Sequence, residues 1–279
     1  MHSIKRIEDT VVLATQGLRD RRMKFSVLAS GSSGNACYIG TDDANILIDA
    51  GLAGREIERR LEILGVRPQS LDALIITHEH TDHIRGAGPL ARRFDLPLYT
   101  NRKTLERGRK ALGNLNRPVV LQTGQSMTIK DLVVETFTKC HDAADPFAIV
   151  VSCNGVRIGL ATDFGRSTSL LEDRLKGCHA LIVEFNYDPE MLDEGPYPLE
   201  LKRRIKGRDG HLSNRQAGDL LRAVSHEDLR VVVAAHLSEK NNHPEKAHRE
   251  AENVLESRGL AETGIVISRQ DEAMPMIEI

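Results

Sequence analysis

Short apolar runs recur along the chain from residue 24 onward and predict a protein rich in β-strands. They contain many Val and Ile residues, which favour extended backbone, and are bounded by Gly, Asn and Asp. Asn154 and Gly155 separate two of the runs and both tolerate positive φ, so they predict a tight hairpin turn. The predicted strands are Lys24–Ala29, Ala36–Gly40, Asn45–Asp49, Ala73–Thr77, Pro118–Leu121, Leu132–Thr138, Phe147–Cys153, Val156–Thr162, Ala180–Phe185, Arg230–Ala235 and Gly264–Ser268.

Other segments carry apolar residues at the spacing that is typical of amphipathic helices. Pro244 suits the first position of the last predicted helix, because the N–H that proline lacks would have no partner within a helix at that position. The predicted helices are Gly54–Leu64, Lys103–Leu112, Thr168–Leu175, Asn214–Val224 and Pro244–Leu255.

The order of these elements repeats along the chain. A hairpin ending at Asp49 is followed by a helix and the strand from Ala73, and a hairpin ending at Asp163 is followed by a helix and the strand from Ala180. Two similar halves, each a sheet with helices on one face, bury their apolar faces by packing sheet against sheet. The pattern predicts an α/β fold, a four-layer αβ/βα sandwich of two mixed β-sheets.

No linker rich in Gly, Pro or Ser divides the chain after Met23, so we expect residues 23–279 to form a single catalytic domain. The first 22 residues are polar and precede the first predicted strand. We expect residues 1–22 to be a flexible N-terminal extension, or to reflect a start codon assigned upstream of the true one.

Composition excludes several classes of protein. The apolar runs are strand-sized, so none predicts a span of a bilayer, and the first 22 residues lack the apolar stretch of a secretory signal. The 4 cysteines form no CxxC pair, which favours a reducing, cytoplasmic location. A net charge of −2 provides no global basic field, so any nucleic acid must be held by local patches.

The strongest chemical signal is His78-Glu79-His80-Thr81-Asp82-His83, directly after an apolar strand. Alternate residues His78 and His80 can direct their imidazoles to one ion, and Asp82 and His83 can face a second ion around the next turn. Imidazole and carboxylate ligands suit Zn²⁺, Mn²⁺ or Fe and argue against a thiolate site. Cys140 adjoins His141, and its side chain should point to the opposite face of the strand. We therefore expect Cys140 to lie in the core.

This His-x-His-x-Asp-His sequence after a strand resembles the metallo-β-lactamase superfamily. The other motifs of the superfamily follow in order at strand ends, with Asp49, His141, Asp163 and His236 at the matching positions. The resemblance implies the sandwich fold and two divalent metal ions. It assigns His78, His80 and His141 to one ion, Asp82, His83 and His236 to the other, Asp163 to a bridge between them, and Asp49 to the orientation of the ligands.

In the superfamily that these motifs resemble, the position of Asp163 can carry a cysteine instead. A bridging carboxylate favours two ions about 3.5–4 Å apart that hold a hydroxide and stabilise phosphate oxygens. This residue therefore favours phosphodiester or thioester substrates over β-lactams.

Residues 25–35, Phe-Ser-Val-Leu-Ala-Ser-Gly-Ser-Ser-Gly-Asn, resemble the opening of the bacterial WalJ (YycJ) family. Segments around His141, His211 and His236 are similar to that family too, so the resemblance spans residues 23–270. It implies an exonuclease that acts at the 5′ end of DNA, with a metal-bound hydroxide as the nucleophile.

Glu184 and His211 suggest a proton-donating pair. Related nucleases, including the tRNA 3′-processing enzymes, carry a carboxylate and a histidine in these places. Glu184 would keep His211 protonated, so that the imidazolium donates to the leaving oxygen. The predicted catalytic residues are therefore Asp82, Glu184 and His211.

Substrate phosphate has two candidate binding regions. The loop that contains Ser33 and Asn35 can present backbone N–H groups, and a basic run before His211 contains Arg204 and Lys206. A second basic run, from Arg102 to Lys110, lies on a predicted helix. The chain has no Trp and few Phe and Tyr residues, so no platform for base stacking is evident and recognition should rest on backbone phosphates.

The sequence thus predicts a dinuclear metal-dependent phosphodiesterase, a 5′ DNA exonuclease that holds Zn or Mn, or alternatively Fe. The alternatives are a tRNA-processing or cyclic-phosphate phosphodiesterase of the same fold, and a thioester or lactone hydrolase. The expected partner is nucleic acid, DNA rather than RNA, and no membrane. The oligomeric state stays open, with a homodimer as one option.

Overall fold

The computed structural model describes residues 22–279, so the prediction of an N-terminal extension lies almost wholly outside the described residues. The strands are β1 Lys24–Ala29, β2 Ala36–Gly40, β3 Asn45–Ile48, β4 Ala73–Ile75, β5 Leu98–Asn101, β6 Pro118–Leu121, β7 Ser126–Ile129, β8 Leu132–Thr138, β9 Phe147–Cys153, β10 Val156–Ala161, β11 Ala180–Glu184, β12 Val231–Ala235, β13 Gly264–Ile267 and β14 Ile277–Glu278. The helices are α1 Gly54–Ile63, α2 Thr81–Ile84, α3 Ala87–Arg93, α4 Arg102–Leu112, α5 Ser169–Leu175, α6 Pro189–Glu194, α7 Leu199–Ile205, α8 Asn214–Val224 and α9 Pro244–Ser257, with a short 3₁₀ turn at Pro68–Ser70.

The strands form two seven-stranded sheets. The first has the order β14-β1-β2-β3-β4-β5-β6, and the second has the order β13-β12-β11-β10-β9-β8-β7. In the first sheet the β2–β3 hairpin is antiparallel and β4 then pairs with β3 in parallel. In the second sheet β9, β10 and β11 repeat that arrangement. The predicted repeat of elements is confirmed.

Side chains alternate between two faces along the strands, and both faces are buried in central strands such as β2, β3, β11 and β12. Ile46 and Ile48 of β3 belong to the same apolar cluster as Ile149 and Val151 of β9, so this cluster lies between the sheets. Leu47, between the two isoleucines, instead packs with the helices that cover the outer face of the first sheet. An equivalent cluster lies under the helices of the second sheet. The predicted four-layer αβ/βα sandwich is confirmed.

Some elements were absent from the predictions because they are short or lack a pattern. Strands β5 and β7 have 4 residues each and β14 has 2, too few for a visible alternation. Helix α2 is only 4 residues long and begins inside the histidine motif, and helix α6 is 6 residues long. Helix α3 contains a Gly-Pro pair. Helix α7 buries none of its residues, so it shows no amphipathic spacing.

The carboxyl ends of the parallel strands in both sheets meet at one edge of the sandwich. The chain turns sharply there, because Asp49, Asp163 and His236 have φ of 58°, 58° and 57°. This left-handed conformation is uncommon for residues other than glycine and concentrates at functional sites. The backbone N–H of His236 donates to Ser30 Oγ at 2.7 Å, which joins the two sheets at this edge.

None of the helices that the structure describes is long and apolar enough to cross a membrane.

Candidate metal centre

Three histidines form a first cluster at the shared edge of the sheets. His78 and His80 follow β4, and His141 follows β8. The Nε2 atom of His141 lies 3.1 Å from Nδ1 of His80, and Nε2 of His78 is buried without a hydrogen-bond partner. The structure therefore brings together all three residues predicted for one ion.

Asp82, His83, Asp163 and His236 form a second cluster. The Nε2 atoms of His83 and His236 lie 3.2 and 3.3 Å from the two carboxylate oxygens of Asp163. Asp82 Oδ2 lies 3.5 Å from His83 Nε2 and 3.9 Å from His236 Nε2. Four side chains that are distant in sequence thus direct their ligand atoms to one small volume.

The two clusters adjoin, and their donor atoms fit metal ions. The rings of His78 and His83 are 4.0 Å apart between centroids, and ligand atoms within each cluster lie within 4.8 Å of one another. Buried atoms of both clusters, His78 Nε2, Asp163 Oδ2 and His236 Nε2, lack hydrogen-bond partners. Because buried polar atoms are nearly always paired, atoms left unpaired in one place indicate a site for cations. Imidazole and carboxylate donors suit Zn²⁺, Mn²⁺ and Fe²⁺.

Asp49 orients histidines of both clusters. Its Oδ2 accepts a hydrogen bond from Nδ1 of His83 at 2.8 Å and another from the hydroxyl of Thr77 at 2.9 Å. Thr77 Oγ1 in turn lies 2.9 Å from Nδ1 of His78. When these Nδ1 atoms donate, each ring keeps its Nε2 lone pair for a metal. No pattern in the sequence indicates the role of Thr77, because that role depends on the approach of two strands.

Glu184 connects the second cluster to His211. Its Oε1 lies 2.9 Å from Nδ1 of His211 and 2.9 Å from Nδ1 of His236. The side chain is fully buried, and its Oε2 accepts the backbone N–H of Leu212 at 2.9 Å. This carboxylate therefore fixes a candidate ligand and the predicted proton donor at the same time.

The charges of the second cluster are strongly coupled. Burial opposes protonation of His83, but the carboxylates of Asp163 and Asp49 raise its pKa to about 10. Burial also opposes protonation of His236, but nearby carboxylates, chiefly that of Asp163, raise its pKa well above the usual value. Burial lowers the pKa of His78 and, to about 4, that of His141. Without metal, His83 and His236 therefore hold protons that His78 and His141 do not.

Lys139 is a buried cation beneath the centre that the sequence predictions missed. Its Nζ donates to the backbone carbonyl of Thr162 at 2.6 Å, directly before Asp163. Burial lowers its pKa, and the nearby carboxylates of Asp163 and Asp49 oppose that effect. The signal available in the sequence was a lysine at a strand end two residues before a candidate ligand.

The residues predicted to bind phosphate lie in different places. The Nδ2 atom of buried Asn35 lies 3.1 Å from Asp82 Oδ2, so this side chain holds a candidate ligand. Ser33 is exposed, and its backbone N–H already donates to Gln270. Arg204 donates a hydrogen bond from Nε to Asp142 Oδ2 at 2.8 Å and forms an ion pair with the same oxygen through Nη2 at 2.7 Å, and Lys206 contacts Asp193. Their roles toward phosphate stay predictions.

Cys140 differs from its predicted place in the core. Its thiol is half-buried and accepts a hydrogen bond from Nε of Arg166 at 3.3 Å. The residue follows the last hydrogen-bonded position of β8, so the strict alternation of strand side chains no longer applies to it.

Comparison with known proteins agrees with this geometry. The family model of the metallo-beta-lactamase superfamily matches residues 29–236. Exodeoxyribonuclease YycJ of Bacillus anthracis is 38% identical over 240 residues, which cover 85% of this chain and 91% of that protein. Exodeoxyribonuclease WalJ of Streptococcus pneumoniae is 34% identical over 263 residues, covering 92% and 98%.

Solved structures share the fold. The metallo-beta-lactamase fold protein YhfI from Bacillus subtilis superposes with a TM-score of 0.70 at 17% identity, over 90% of this chain and 99% of that one. The sequence, the layers and the ordered site residues all agree. The chain is therefore an enzyme of the metallo-β-lactamase superfamily and belongs, within it, to the family of YycJ and WalJ.

Proposed function

We propose that this enzyme is a dinuclear metal-dependent phosphodiesterase that removes nucleotides from the 5′ end of DNA. One observation of the site carries the proposal: Glu184 holds His211, at 2.9 Å, directly beside two adjoining clusters of metal-ligand side chains. Cleavage of a phosphodiester at a sugar oxygen needs both a cationic centre for the phosphate and an acid for the leaving oxygen.

The first cluster would hold one ion through His78, His80 and His141, and the second would hold another through the remaining ligands. Asp163 is the residue we assign to the bridge, as the match of its position to the superfamily motif implies; in the structure its two oxygens face His83 and His236, both of the second cluster. When bound, two divalent ions supply electrostatic stabilisation of the phosphate and a water of lowered pKa. We expect Zn or Mn, with Fe as a further candidate. Asp82 would hold the second ion together with His83 and His236, beside which its carboxylate lies.

The residues of the chain supply the proton transfer. Nδ1 of His211 donates to Glu184, so Nε2 is the atom that gives its proton to the departing oxygen. The buried carboxylate of Glu184 accepts the hydrogen bond from Nδ1 and fixes the imidazole ring of His211. Glu184 therefore acts as a positioning residue for His211.

The preference for DNA rests on the relatives, two of which are named exodeoxyribonucleases. It is compatible with local basic residues on a chain of net charge −2. Arg102 and Lys103, at the start of α4, line a groove of about 550 Å³ together with Asn101, which contacts the backbone of Asp145. Cytoplasmic action is part of the proposal, since the sequence has no CxxC pair and no disulfide-dense cysteine pattern.

The test uses metal-stripped protein to which Mn²⁺ or Zn²⁺ is restored, with single- and double-stranded DNA and RNA. DNA labelled at its 3′ end should shorten as a progressive ladder, whereas a 5′ label should appear at once in a mononucleotide. Closed circular DNA should stay intact, because it has no end. Asp163→Ala is the control variant. It should be inactive and should no longer bind the pair of metal ions.

Other results would support other functions. A ladder on RNA but not on DNA would favour a tRNA-processing enzyme. No cleavage of any nucleic acid by protein that holds two metals would overturn the proposal and favour a cyclic phosphate, thioester or lactone substrate.

A further inference from the structure

A cavity opens beside the proton donor, and its lining includes Asp142 and Arg204, which form an ion pair. It has a volume of about 180 Å³, whereas a single water needs about 10–15 Å³. His211 and His236 form its floor, and Ser238 lies at one side. Tyr197, Leu201 and Ile205 form the opposite wall. This cavity is large enough for an organic group of the substrate.

The wall belongs to residues 189–210, which we call the cap segment and which contain α6 and α7. Backbone contacts fix it to the metal centre. Nδ1 of His141 lies 3.1 Å from the carbonyl of Asp209, and the N–H of Asp142 donates to the same carbonyl at 3.1 Å. Gly165 approaches so closely that a Cβ atom there would lie 2.3 Å from the carbonyl oxygen of Gly207. The cavity is therefore formed before any substrate binds.

The composition of the wall suits a nucleobase. Tyr197 is half-buried, with Leu201 and Ile205 beside it on the same wall, so an aromatic face meets apolar neighbours. Aromatic side chains stack on any base because every base has a π face. Ser238 and Asn186 add polar groups on the other side of the cavity. The chain thus has a stacking residue that its composition did not reveal.

The position of His211 decides which nucleotide occupies the cavity. In the proposed reaction a water oxygen forms the new bond to phosphorus, and the bond from phosphorus to the 3′ oxygen breaks. That 3′ oxygen receives the proton from His211 and leaves with its nucleoside, while the new 5′-phosphate stays on the remaining strand. The group next to His211 is therefore the nucleoside that leaves.

From this placement we propose that the cavity binds the terminal nucleoside of DNA, with Tyr197 stacked on its base, and thereby sets the polarity of cleavage. The inference rests on the proposed function. Because residues of the cap segment line the cavity beside His211, and its volume of about 180 Å³ suits one terminal nucleoside, we assign this leaving side to a chain end. Only a 5′ end places a single nucleoside on the leaving side of a bond broken at the 3′ oxygen.

The experiment compares the Tyr197→Ala, Tyr197→Phe and wild-type enzymes, all loaded with Mn²⁺. One DNA substrate carries a normal 5′ nucleotide, and a matched one carries an abasic 5′ nucleotide without a base. Leu199→Ala is the control variant, because Leu199 lies on α7 with 62% exposure and does not line the cavity.

On normal DNA, Tyr197→Ala should lower kcat/KM about five- to hundredfold, with Tyr197→Phe and Leu199→Ala close to wild type. On abasic DNA the wild-type enzyme should be slowed to a similar degree, and Tyr197→Ala should cause little further loss. Equal losses on the two substrates, or no loss on normal DNA, would overturn the assignment of the cavity while DNA cleavage by the wild type still supports the proposed function. Failure of the wild type to cleave DNA would overturn both.

Discussion

Asp49 and Glu184 are buried carboxylates at strand ends, and each fixes two histidines. Asp49 contacts His83 directly and His78 through the hydroxyl of Thr77. Glu184 contacts His236 and His211 within 2.9 Å. These carboxylates accept hydrogen bonds from Nδ1 atoms and leave Nε2 atoms available to bind metal or donate a proton. The orientation of these rings is therefore set before metal or substrate arrives.

His211→Ala separates proton donation from metal binding. The variant should keep both ions but lose about 10²- to 10⁴-fold in turnover on DNA, because the leaving 3′ oxygen then departs without a proton. Cleavage of bis(p-nitrophenyl) phosphate should fall much less, because nitrophenolate leaves readily unprotonated. Metal analysis and steady-state rates check this, with His248→Ala as a control remote from the site. Unchanged turnover on DNA by metal-replete His211→Ala would remove the general-acid role.

Lys139→Met should destabilise the metal-free protein by about 1–3 kcal/mol, since the buried carbonyl of Thr162 loses its donor. The carboxylates of Asp163 and Asp49 also lose a nearby cation. Urea denaturation of metal-free protein measures the change. Lys176→Met is the matched control, because Lys176 is exposed and pairs only with exposed Asp173. A denaturation midpoint equal to that of wild type would contradict this account of Lys139.

At the scale of elements, the site lies where parallel strands of both sheets end. Strands β3, β10 and β12 are each followed within two residues by a candidate site residue in the left-handed region, Asp49, Asp163 or His236. The strands are held on both faces by apolar packing, which supports these strained turns. The cap segment then closes one side of the site.

Gly165→Ala tests the seating of the cap segment. A Cβ atom there would overlap the backbone of Gly207 and Arg208, so the segment must shift away from the metal centre. We expect retained metal and a loss of up to about hundredfold in DNA cleavage, since small displacements disturb substrate alignment. Gly54→Ala is the control, because the nearest atom to its added Cβ is 3.5 Å away. Wild-type rates in Gly165→Ala would show that the close contact has no role in activity.

The sequence predicted elements whose signals are local. Strand alternation, the Asn154-Gly155 turn and the histidine motif each lie within a few residues, so they could be read directly, whereas Asp49, His141, Asp163 and His236 were assigned through the resemblance to the superfamily. The roles of Thr77, Asn35 and Lys139 could not, because they arise where separate strands meet. Tyr197 was missed for the same reason: a lone tyrosine before an exposed helix gains meaning only from the cavity beside it.

In the whole molecule, the candidate metal centre combines residues from both halves of the sandwich. Asp49 and the residues from His78 to His83 follow strands of the first sheet, whereas His141, Asp163 and His236 follow strands of the second. Ions bound between them would link the sheets and stabilise the folded state in proportion to their affinity. Metal removal should therefore lower the melting temperature of the whole protein.

Metal uptake should depend on pH because the second cluster holds protons in the metal-free protein. The pKa of His83 is raised to about 10 by Asp163 and Asp49 against the effect of burial, and that of His236 is also raised. Both protons must leave when the ligands bind metal, so at pH values below the pKa of His83 affinity should rise with pH by about tenfold per unit for each of the two protons still bound. Calorimetry in buffers of different ionisation enthalpy measures the released protons. Metal binding without proton release would contradict these charge states.

The central claim is that seven side chains of the two clusters form one dinuclear centre. Anomalous diffraction from crystals of the Mn²⁺-loaded enzyme tests it most directly. We predict two anomalous peaks about 3.5–4 Å apart, one among His78, His80 and His141 and one beside Asp82, His83 and His236, with Asp163 in contact with both. A single peak, or peaks away from these side chains, would contradict the account.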